Sequence, residues 1–191
     1  MPSAPTSPSC EGFRTCWALA RQCFSEHVQW PVFGLATKKK EMPNILKLDP
    51  KPTNRCFGCG AANPAGMKLT FDLDLDARRT RGSFTLGPNY AGGGGFAHGG
   101  IIAVILDEAM GKLSRIADEK AVTAEMDIEY RKPVPVDQPI LVEGWQEEEK
   151  GRNRFRVAEI RDQQGNLLAR GKGRFVLVDA NHFAAANSPP V

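Results

Sequence analysis

The sequence lacks an apolar run long enough to cross a membrane. Its longest one, IIAVIL at residues 101–106, has six residues, whereas a span needs ~18 or more. No Lys or Arg precedes Arg14, and the stretch CWALA that follows is too short for the core of a signal peptide. Five cysteines are an odd number, which does not favour a complete disulfide framework. We therefore expect a reduced, cytoplasmic protein without a membrane span.

The main part of the chain also lacks an excess of charge of either sign. Residues 1–54 hold 7 Lys or Arg and 4 Asp or Glu, so they carry the whole net charge of +3. Residues 55–191 hold 18 of each kind and are neutral overall. A neutral folded part without a basic stripe argues against a nucleic acid as the main partner.

The 191 residues, 41% of them hydrophobic, are enough for one domain with a buried core. We predict a poorly ordered N-terminal extension over residues 1–50, in which FRTCWALARQCF at 13–24 can form a short amphipathic helix. Met42, just ahead of the regular pattern, is a second candidate start. The domain itself is predicted at 51–179, followed by a flexible tail at 180–191.

From residue 68 onward, the sequence pattern predicts strands around a single helix. KLTFDLDL at 68–75 places its apolar residues on one face, which is typical of a half-buried strand. Short connections after the helix imply an antiparallel sheet. The sequence therefore predicts an α+β fold in which one antiparallel sheet wraps around one long central helix. The predicted strands are 68–75, 80–87, 123–130, 139–149, 154–162 and 167–179, and the predicted helix is 99–116.

The predicted helix is apolar on every side over residues 101–106, which indicates burial on all sides, and the acidic residues Asp107 and Glu108 follow. Glu108 is expected to turn to solvent where the helix emerges from the core. Asp107 shares a helical face with small residues such as Gly100, so another group can approach it closely. A carboxylate on such a recessed apolar face is a candidate general base or nucleophile.

His98, Gly99 and Gly100 stand where this helix begins. The first turn of a helix leaves backbone N–H groups unpaired, and the helix dipole makes that end positive. Since Gly99 and Gly100 have no side chains, an oxygen can reach their N–H groups, as in an oxyanion hole or an anion-binding site. The alternative is that the two glycines only allow a tight turn into the helix.

The length of the helix determines how its two ends can cooperate. Asp107 lies eight residues beyond Gly99, which is roughly 12 Å along the axis at ~1.5 Å per residue. Reacting groups must lie ~3–3.5 Å from a shared substrate atom, so one helix cannot supply both groups to one site. Two such helices packed antiparallel about a twofold axis can. We therefore predict a site shared between the subunits of a dimer or a larger homo-oligomer.

Three stretches, CFGCGAANPAGMKL at 56–69, HGGIIAVILDEAMG at 98–111 and TAEMDIEYRKPVP at 123–135, resemble the hot-dog-fold acyl-CoA thioesterases. The resemblance is to the PaaI-like branch of the 4-hydroxybenzoyl-CoA thioesterase superfamily. It implies a hot-dog fold paired in a homodimer or homotetramer. It also implies hydrolysis of an acyl-CoA thioester to free acid and CoA, with no metal and no cofactor apart from the coenzyme A of the substrate.

By position, the resemblance assigns roles to the residues around the helix. The N–H of Gly99 would polarise the thioester carbonyl, with Gly100 beside it, and His98 would shape or line the site. Asp107 of the partner subunit would activate water or attack the carbonyl. Thr123 would hold the water or the carboxylate, although it lies on the polar parity of its strand and can equally face solvent.

Other substrate contacts follow from the same resemblance. Arg131 and Lys132 lie where relatives have basic residues that meet the CoA phosphates, and a solvated strand end is the alternative. Many relatives have Asn or Gln about six residues before the histidine. Here that position is Gly92, so the contact is either absent or made by another group such as Asn89 through a shift of the loop.

Gly92 leaves a second function open, that of a non-catalytic protein that binds or senses acyl-CoA with the same fold. A hot-dog dehydratase is disfavoured, because those relatives usually carry Asp before His, whereas His98 precedes Asp107 here.

Cys56 and Cys59 form a C-x-x-C pair that raises the question of a metal site. Structural zinc takes four ligands, and the other cysteines lie in the N-terminal extension. We therefore interpret the two cysteines as small apolar packing residues.

Overall fold

The structure, a computed structural model, describes residues 44–179. The tail predicted at 180–191 and the extension up to residue 43 lie outside the described residues. No helix within residues 44–179 has the length and apolar composition needed to cross a membrane. The strands are β1 Ile45–Leu48, β2 Phe71–Asp74, β3 Arg79–Thr85, β4 Ala121–Tyr130, β5 Pro139–Lys150, β6 Asn153–Asp162 and β7 Leu167–Leu177, and the helix is α1 Gly99–Lys112 with a 3-10 turn Leu113–Arg115 at its end.

The seven strands form one antiparallel sheet in the order β1-β2-β3-β5-β6-β7-β4. The helix contacts strands from both halves of this sheet, so the sheet wraps around α1. The predicted α+β architecture is confirmed, and so is the predicted position of the helix between the second predicted strand and the third.

β1 is the element that the sequence pattern did not predict. Residues 45–48 fall in the predicted extension, but they pair with β2, with Leu48 opposite Phe71. The segment ILKL has four residues and lacks the length over which alternation identifies a strand. The sheet therefore begins before residue 51, where the domain was predicted to start.

The core lies between α1 and the sheet. Gly171 of β7 allows the helix to come close, because a Cβ there would lie 3.3 Å from the Cβ of Leu106. Burying each large apolar side chain contributes about 1.5–3 kcal/mol to the free energy of folding. The helix contributes the buried residues Ile102, Ile105, Leu106, Ala109 and Met110.

Polar groups of the sheet hold the C-terminal end of α1. Arg156, only 1% exposed, donates through Nη1 to the Met110 carbonyl at 3.0 Å and to the Ser114 Oγ at 2.8 Å. Thr80 Oγ1 donates to the Ala109 carbonyl at 2.9 Å. Burial lowers the pKa of Arg156 to about 10, so it stays charged at neutral pH and complements the negative end of the helix dipole. These contacts fix the helix along its axis.

One side of α1 is only partly covered in a single chain. Gly100 is exposed, and Ala103, Val104 and Asp107 are partly buried. The expectation that the helix is buried on all sides is therefore wrong for this face. The recessed face of small residues around Asp107 is present as predicted.

Candidate active site

The start of α1 is capped by His98. Its Nδ1 accepts a hydrogen bond from the N–H of Gly100 at 2.9 Å, which satisfies one of the unpaired N–H groups of the first turn. Because Nδ1 accepts this bond, it carries no proton. His98 therefore orients the helix start, and this contact gives it no proton-transfer role.

The peptide between Gly99 and Gly100 is held at both ends. Its N–H is engaged by His98, and its carbonyl, that of Gly99, accepts a hydrogen bond from the Tyr130 hydroxyl at 3.1 Å. Gly100 also makes room for the imidazole, since a Cβ there would lie 3.2 Å from His98 Nδ1. Of the two N–H groups predicted to meet a substrate oxygen, only that of Gly99 has no acceptor within residues 44–179.

Tyr130 is a site residue that the sequence analysis missed. It lies at the end of β4, 54% exposed, and its hydroxyl would be 3.6 Å from a Cβ at Gly99. The alternation of β4 placed it among the apolar residues of the strand. The packing of β4 against α1 brings the Tyr130 hydroxyl over the helix start. In the sequence, only the position of Tyr130 directly before Arg131 could have indicated a site residue.

Asp107 and Thr123 are in direct contact. Thr123 Oγ1 donates to Asp107 Oδ1 at 2.6 Å. Burial raises the pKa of Asp107, the hydrogen bond from Thr123 partly opposes this, and the neighbouring charge of Glu108 raises it further. The site thus holds a partly buried carboxylate whose pKa is moved towards neutrality, as a general base requires.

An irregularity in β4 explains how Thr123 reaches the helix. The register between β4 and β7 shifts between Thr123 and Glu125, and such a bulge re-aims a side chain. As a result Thr123 lies opposite Phe175, which is 2% exposed and belongs to the core. Strict alternation had placed Thr123 on the polar face; the bulge moves it to the face that meets α1, and the residue stays exposed there.

Glu108 does not turn to solvent, so that expectation is wrong. Its side chain is 13% exposed and pairs with Lys112, whose Nζ lies 2.8 Å from Oε2. The Cys56 thiol donates to Oε1 at 3.1 Å. Burial alone would raise the pKa of Glu108, but the charge and hydrogen bond of Lys112 outweigh it, and the pKa is lowered.

The interpretation of the two cysteines as apolar packing residues is also wrong. Both are free thiols that are partly buried, and Cys56 hydrogen-bonds to the helix at Glu108. Burial raises the pKa of the Cys59 thiol to about 11. Within the described part of the chain, these two thiols and the Glu108 carboxylate are the one group whose donor atoms are arranged to hold a metal ion.

The basic pair after β4 is anchored by its backbone. The N–H groups of Arg131 and Lys132 both donate to the carbonyl of Leu168, at 2.8 and 2.9 Å. The Arg131 guanidinium pairs with the Glu129 carboxylate, so part of its charge is already balanced. Lys132 is exposed, and its positive charge acts on the Asp162 carboxylate, whose pKa is lowered chiefly by the Asn166 side chain.

The glycine-rich loop places backbone, and no amide side chain, beside His98. A Cβ at Gly92 would lie 3.1 Å from the His98 Cα. Gly94 and Gly95 have φ values of +69° and +78°, a region that favours glycine. Asn89, in the 3-10 turn Pro88–Tyr90, is exposed, and its side chain forms no hydrogen bond with residues 44–179.

Residues 94–169 match the family model described as the thioesterase superfamily. This segment is therefore similar to thioesterase-superfamily domains. It contains the start of α1, Asp107, Thr123 and Tyr130, and therefore most of the site described above. The resemblance found in the sequence is confirmed at the level of the superfamily.

Curated relatives are similar over part of their length. Acyl-coenzyme A thioesterase THEM4 of Bos taurus is 26% identical over 152 residues, which cover 75% of this chain and 63% of the relative. THEM4 of Mus musculus is 31% identical over 115 residues, which cover 60% of this chain and 50% of the relative. The chain thus spans between half and two thirds of the length of these relatives.

Solved structures share the fold of this domain. A crystal structure described as a thioesterase superfamily protein superposes with a TM-score of 0.60 at 26% identity, over 64% of this chain and 60% of that one. The E. coli PaaI protein gives a TM-score of 0.51 at 17% identity, over 53% and 74%. A Streptococcus mutans protein bound to acetyl CoA gives 0.51 at 20% identity, over 52% and 81%. The hot-dog fold is confirmed, and the PaaI-like branch stays a prediction.

Proposed function

We propose that this domain hydrolyses an acyl-CoA thioester to the free acid and CoA. The observation that carries this proposal is the 2.6 Å hydrogen bond from Thr123 to Asp107, which holds a carboxylate of raised pKa on the small-residue face of α1. The names of the curated relatives, which are acyl-coenzyme A thioesterases, support the same reaction.

In this mechanism the substrate carbonyl oxygen meets the N–H of Gly99. The positive end of the helix dipole stabilises the negative charge that develops on this oxygen in the tetrahedral intermediate. Tyr130 and His98 keep the next peptide in place, so the Gly99 N–H needs no rearrangement to bind the oxygen. Asp107 either removes a proton from the attacking water or attacks the carbonyl itself.

The two half-sites belong to different subunits in this proposal. α1 runs unbroken from Gly99 to Lys112, so the separation of roughly 12 Å between Gly99 and Asp107 holds in the fold. The partly covered face of α1 and the outer edge of β4 offer a second copy a place to bind. A homodimer or homotetramer, a cytoplasmic location and membership of the PaaI-like branch are parts of the same proposal.

Coenzyme A would extend from the helix start towards the end of β4. The S. mutans neighbour bound to acetyl CoA supports a substrate of this class. Lys132 and, after release from Glu129, Arg131 supply positive charge for the CoA phosphates.

The proposal is tested by hydrolysis of a panel of acyl-CoA thioesters with short, aromatic and long acyl groups. We expect turnover of at least one class by the wild-type chain. Asp107→Asn should lower kcat by about 10²–10⁴-fold, since it removes the general base or nucleophile. Asp72→Asn, at an exposed position of β2, is the matched control and should leave kcat unchanged.

Gly92 supports one alternative, an acyl-CoA sensor without hydrolytic activity. The amide side chain that many relatives place at this position is missing, and the close contact with His98 leaves a larger residue little room. In the same assay this alternative predicts that wild type and Asp107→Asn are equally inactive but bind acyl-CoA.

A further inference from the structure

The loop that precedes β2 brings two thiols to a carboxylate of the central helix. Sγ of Cys56 and of Cys59 and a carboxylate oxygen of Glu108 all lie within 4.8 Å of one another. Cys56 and Glu108 are 52 residues apart in the sequence. We propose that Cys56, Cys59 and Glu108 bind a zinc ion, whose fourth ligand is water.

The donor atoms suit zinc in kind and in spacing. Thiolates select zinc over magnesium or calcium, and a carboxylate oxygen is an accepted third ligand. With Zn–S of ~2.3 Å and Zn–O of ~2.0–2.2 Å, tetrahedral ligand atoms lie about 3.5–3.8 Å apart. The Cys56 Sγ and Glu108 Oε1 are 3.1 Å apart, and the other pairs need to close by about 1 Å at most.

The charges balance with and without the metal. Without zinc the cluster holds two neutral thiols, the Glu108 carboxylate and the Lys112 ammonium, and the sum of their charges is zero. When Zn²⁺ binds, each thiol loses its proton to solvent, so two positive charges replace two protons and the sum stays zero. Because Lys112 pairs with Oε2, Oε1 remains for the metal. A partly buried site can therefore take the ion without an uncompensated charge.

Two glycines allow the loop to pack on Glu108 and to close on itself. A Cβ at Gly58 would lie 2.5 Å from Glu108 Oε1, so a larger residue there would displace the carboxylate from its position beside Cys56. A Cβ at Gly60 would lie 2.5 Å from the backbone N of Cys56, and the Gly60 N–H closes the loop on the Cys56 carbonyl at 2.9 Å.

Asn54 supports the cluster from outside. Its Oδ1 accepts from the Cys56 N–H at 2.9 Å, and its Nδ2 lies 3.8 Å from the Cys59 Sγ. Such outer contacts orient metal ligands. Cys59 and Lys112 also line a surface cavity of about 410 Å³, which gives an ion and its water access to the site.

The proposed metal keeps one position open to water, unlike a structural zinc site with four protein ligands. It would fasten the loop to α1 one residue from Asp107 and replace a thiol–carboxylate hydrogen bond with metal–ligand bonds. This inference stands apart from the proposed hydrolysis, because zinc binding is measured without a substrate.

The test is a Co²⁺ titration of the full chain, freed of metal by a chelator and kept reduced. We expect about one equivalent of Co²⁺ to bind, with a thiolate-to-cobalt charge-transfer band and the visible bands of a tetrahedral centre, and Zn²⁺ to displace it. Cys56→Ser, Cys59→Ser and Glu108→Gln should each weaken binding more than about 100-fold, and Lys112→Gln by about 10-fold.

The matched control is the triple variant Cys10→Ser, Cys16→Ser, Cys23→Ser, which removes the other three thiols and should bind Co²⁺ like the wild type. Two results overturn the proposal: a reduced wild-type chain that takes up neither Co²⁺ nor Zn²⁺, or a triple variant that loses the site. If a ligand variant fails to fold, which circular dichroism shows, the titration of the wild-type chain still decides whether the metal binds.

Discussion

Burial in the fold disfavours the ionised form of Asp107, whereas the hydrogen bond from Thr123 favours it. Burial raises the pKa of Asp107, while the Thr123 hydrogen bond, which favours the ionised form, lowers it. If Asp107 acts in its ionised form, activity is lost as the pH falls through this pKa, which gives the acidic limb of the kcat/KM profile. The pH at which activity is lost therefore depends on the hydrogen bond from Thr123 to Asp107.

Replacing Thr123 with valine should shift this limb to higher pH. Valine keeps the shape of the side chain but has no hydroxyl, so the hydrogen bond from residue 123 to the Asp107 carboxylate disappears and the pKa of Asp107 rises further. At neutral pH we also expect kcat/KM to fall about 10–150-fold, since a hydrogen bond to a charged group contributes about 1.5–3 kcal/mol. The measurement is kcat/KM between pH 4 and 8 with the acyl-CoA that the panel identifies.

Thr123→Ser serves as the control for that variant. It keeps the hydroxyl and should leave the acidic limb where it is in the wild type. An acidic limb that moves to lower pH in Thr123→Val, or that is the same in all three proteins, would show that Thr123 does not act through the Asp107 carboxylate.

Individual site residues were predictable where their neighbours are close in sequence. His98, Gly99 and Asp107 belong to one helix, and its start and period can be derived from local composition. Thr123 was harder, because its role came from the family resemblance alone, and strand parity placed it on the polar face, a parity that the bulge in β4 reverses. Cys56, one of the partners of Glu108, lies 52 residues away, and no local pattern brings the two together.

At the scale of single elements, the start of α1 allows the contribution of a backbone N–H to catalysis to be tested separately from that of a side chain. Proline is well tolerated at the first position of a helix, because the N–H it removes has no partner within the helix. His98, which precedes it, already has the extended backbone that a following proline requires, with φ −63° and ψ 139°. Gly99→Pro can therefore delete one N–H and keep the helix.

We expect Gly99→Pro to lower kcat by about 10²–10³-fold, the usual effect of losing one oxyanion-hole donor. Gly99→Ala is the matched control, because it keeps the N–H and its Cβ would lie at an ordinary 3.6 Å from Tyr130; its kcat should stay within a few-fold of the wild type. Equal losses in both variants would assign the effect to the added bulk and argue against an oxyanion role for Gly99.

Regular elements with a clear period were the predictable part of the fold. The helix start at residue 99 and the six predicted strands correspond to α1, β2, β3 and β4 to β7. β1 was missed because four residues at a sheet edge carry little periodicity, and its place is determined by pairing with β2. Long-range pairing also creates the cysteine–glutamate cluster, which is why the sequence alone did not identify it.

At the scale of the whole molecule, the two parts of the proposed site, Gly99 and Asp107, lie eight residues apart on one helix. In the described part of the chain, β4 pairs with β7 alone, and the adjoining face of α1 is only partly covered. If a second copy covers this surface, each active site takes Gly99 from one subunit and Asp107 from the other. A homodimer of either variant then has two damaged sites. In one variant both sites lack the Gly99 N–H, and in the other both sites lack the Asp107 carboxylate.

Mixing two inactive variants tests this arrangement. When Asp107→Asn and Gly99→Pro chains are co-expressed in equal amounts, random pairing makes half of the dimers heterodimers, and each heterodimer has one site with both residues intact. We therefore expect the mixture to show about a quarter of the wild-type kcat per active site, and heterodimers isolated by two different tags to show about half. If both residues act within one chain, every site stays damaged and the mixture is as inactive as its components. Mixing the purified homodimers without subunit exchange is the control, and activity there would point to a contaminant instead of complementation.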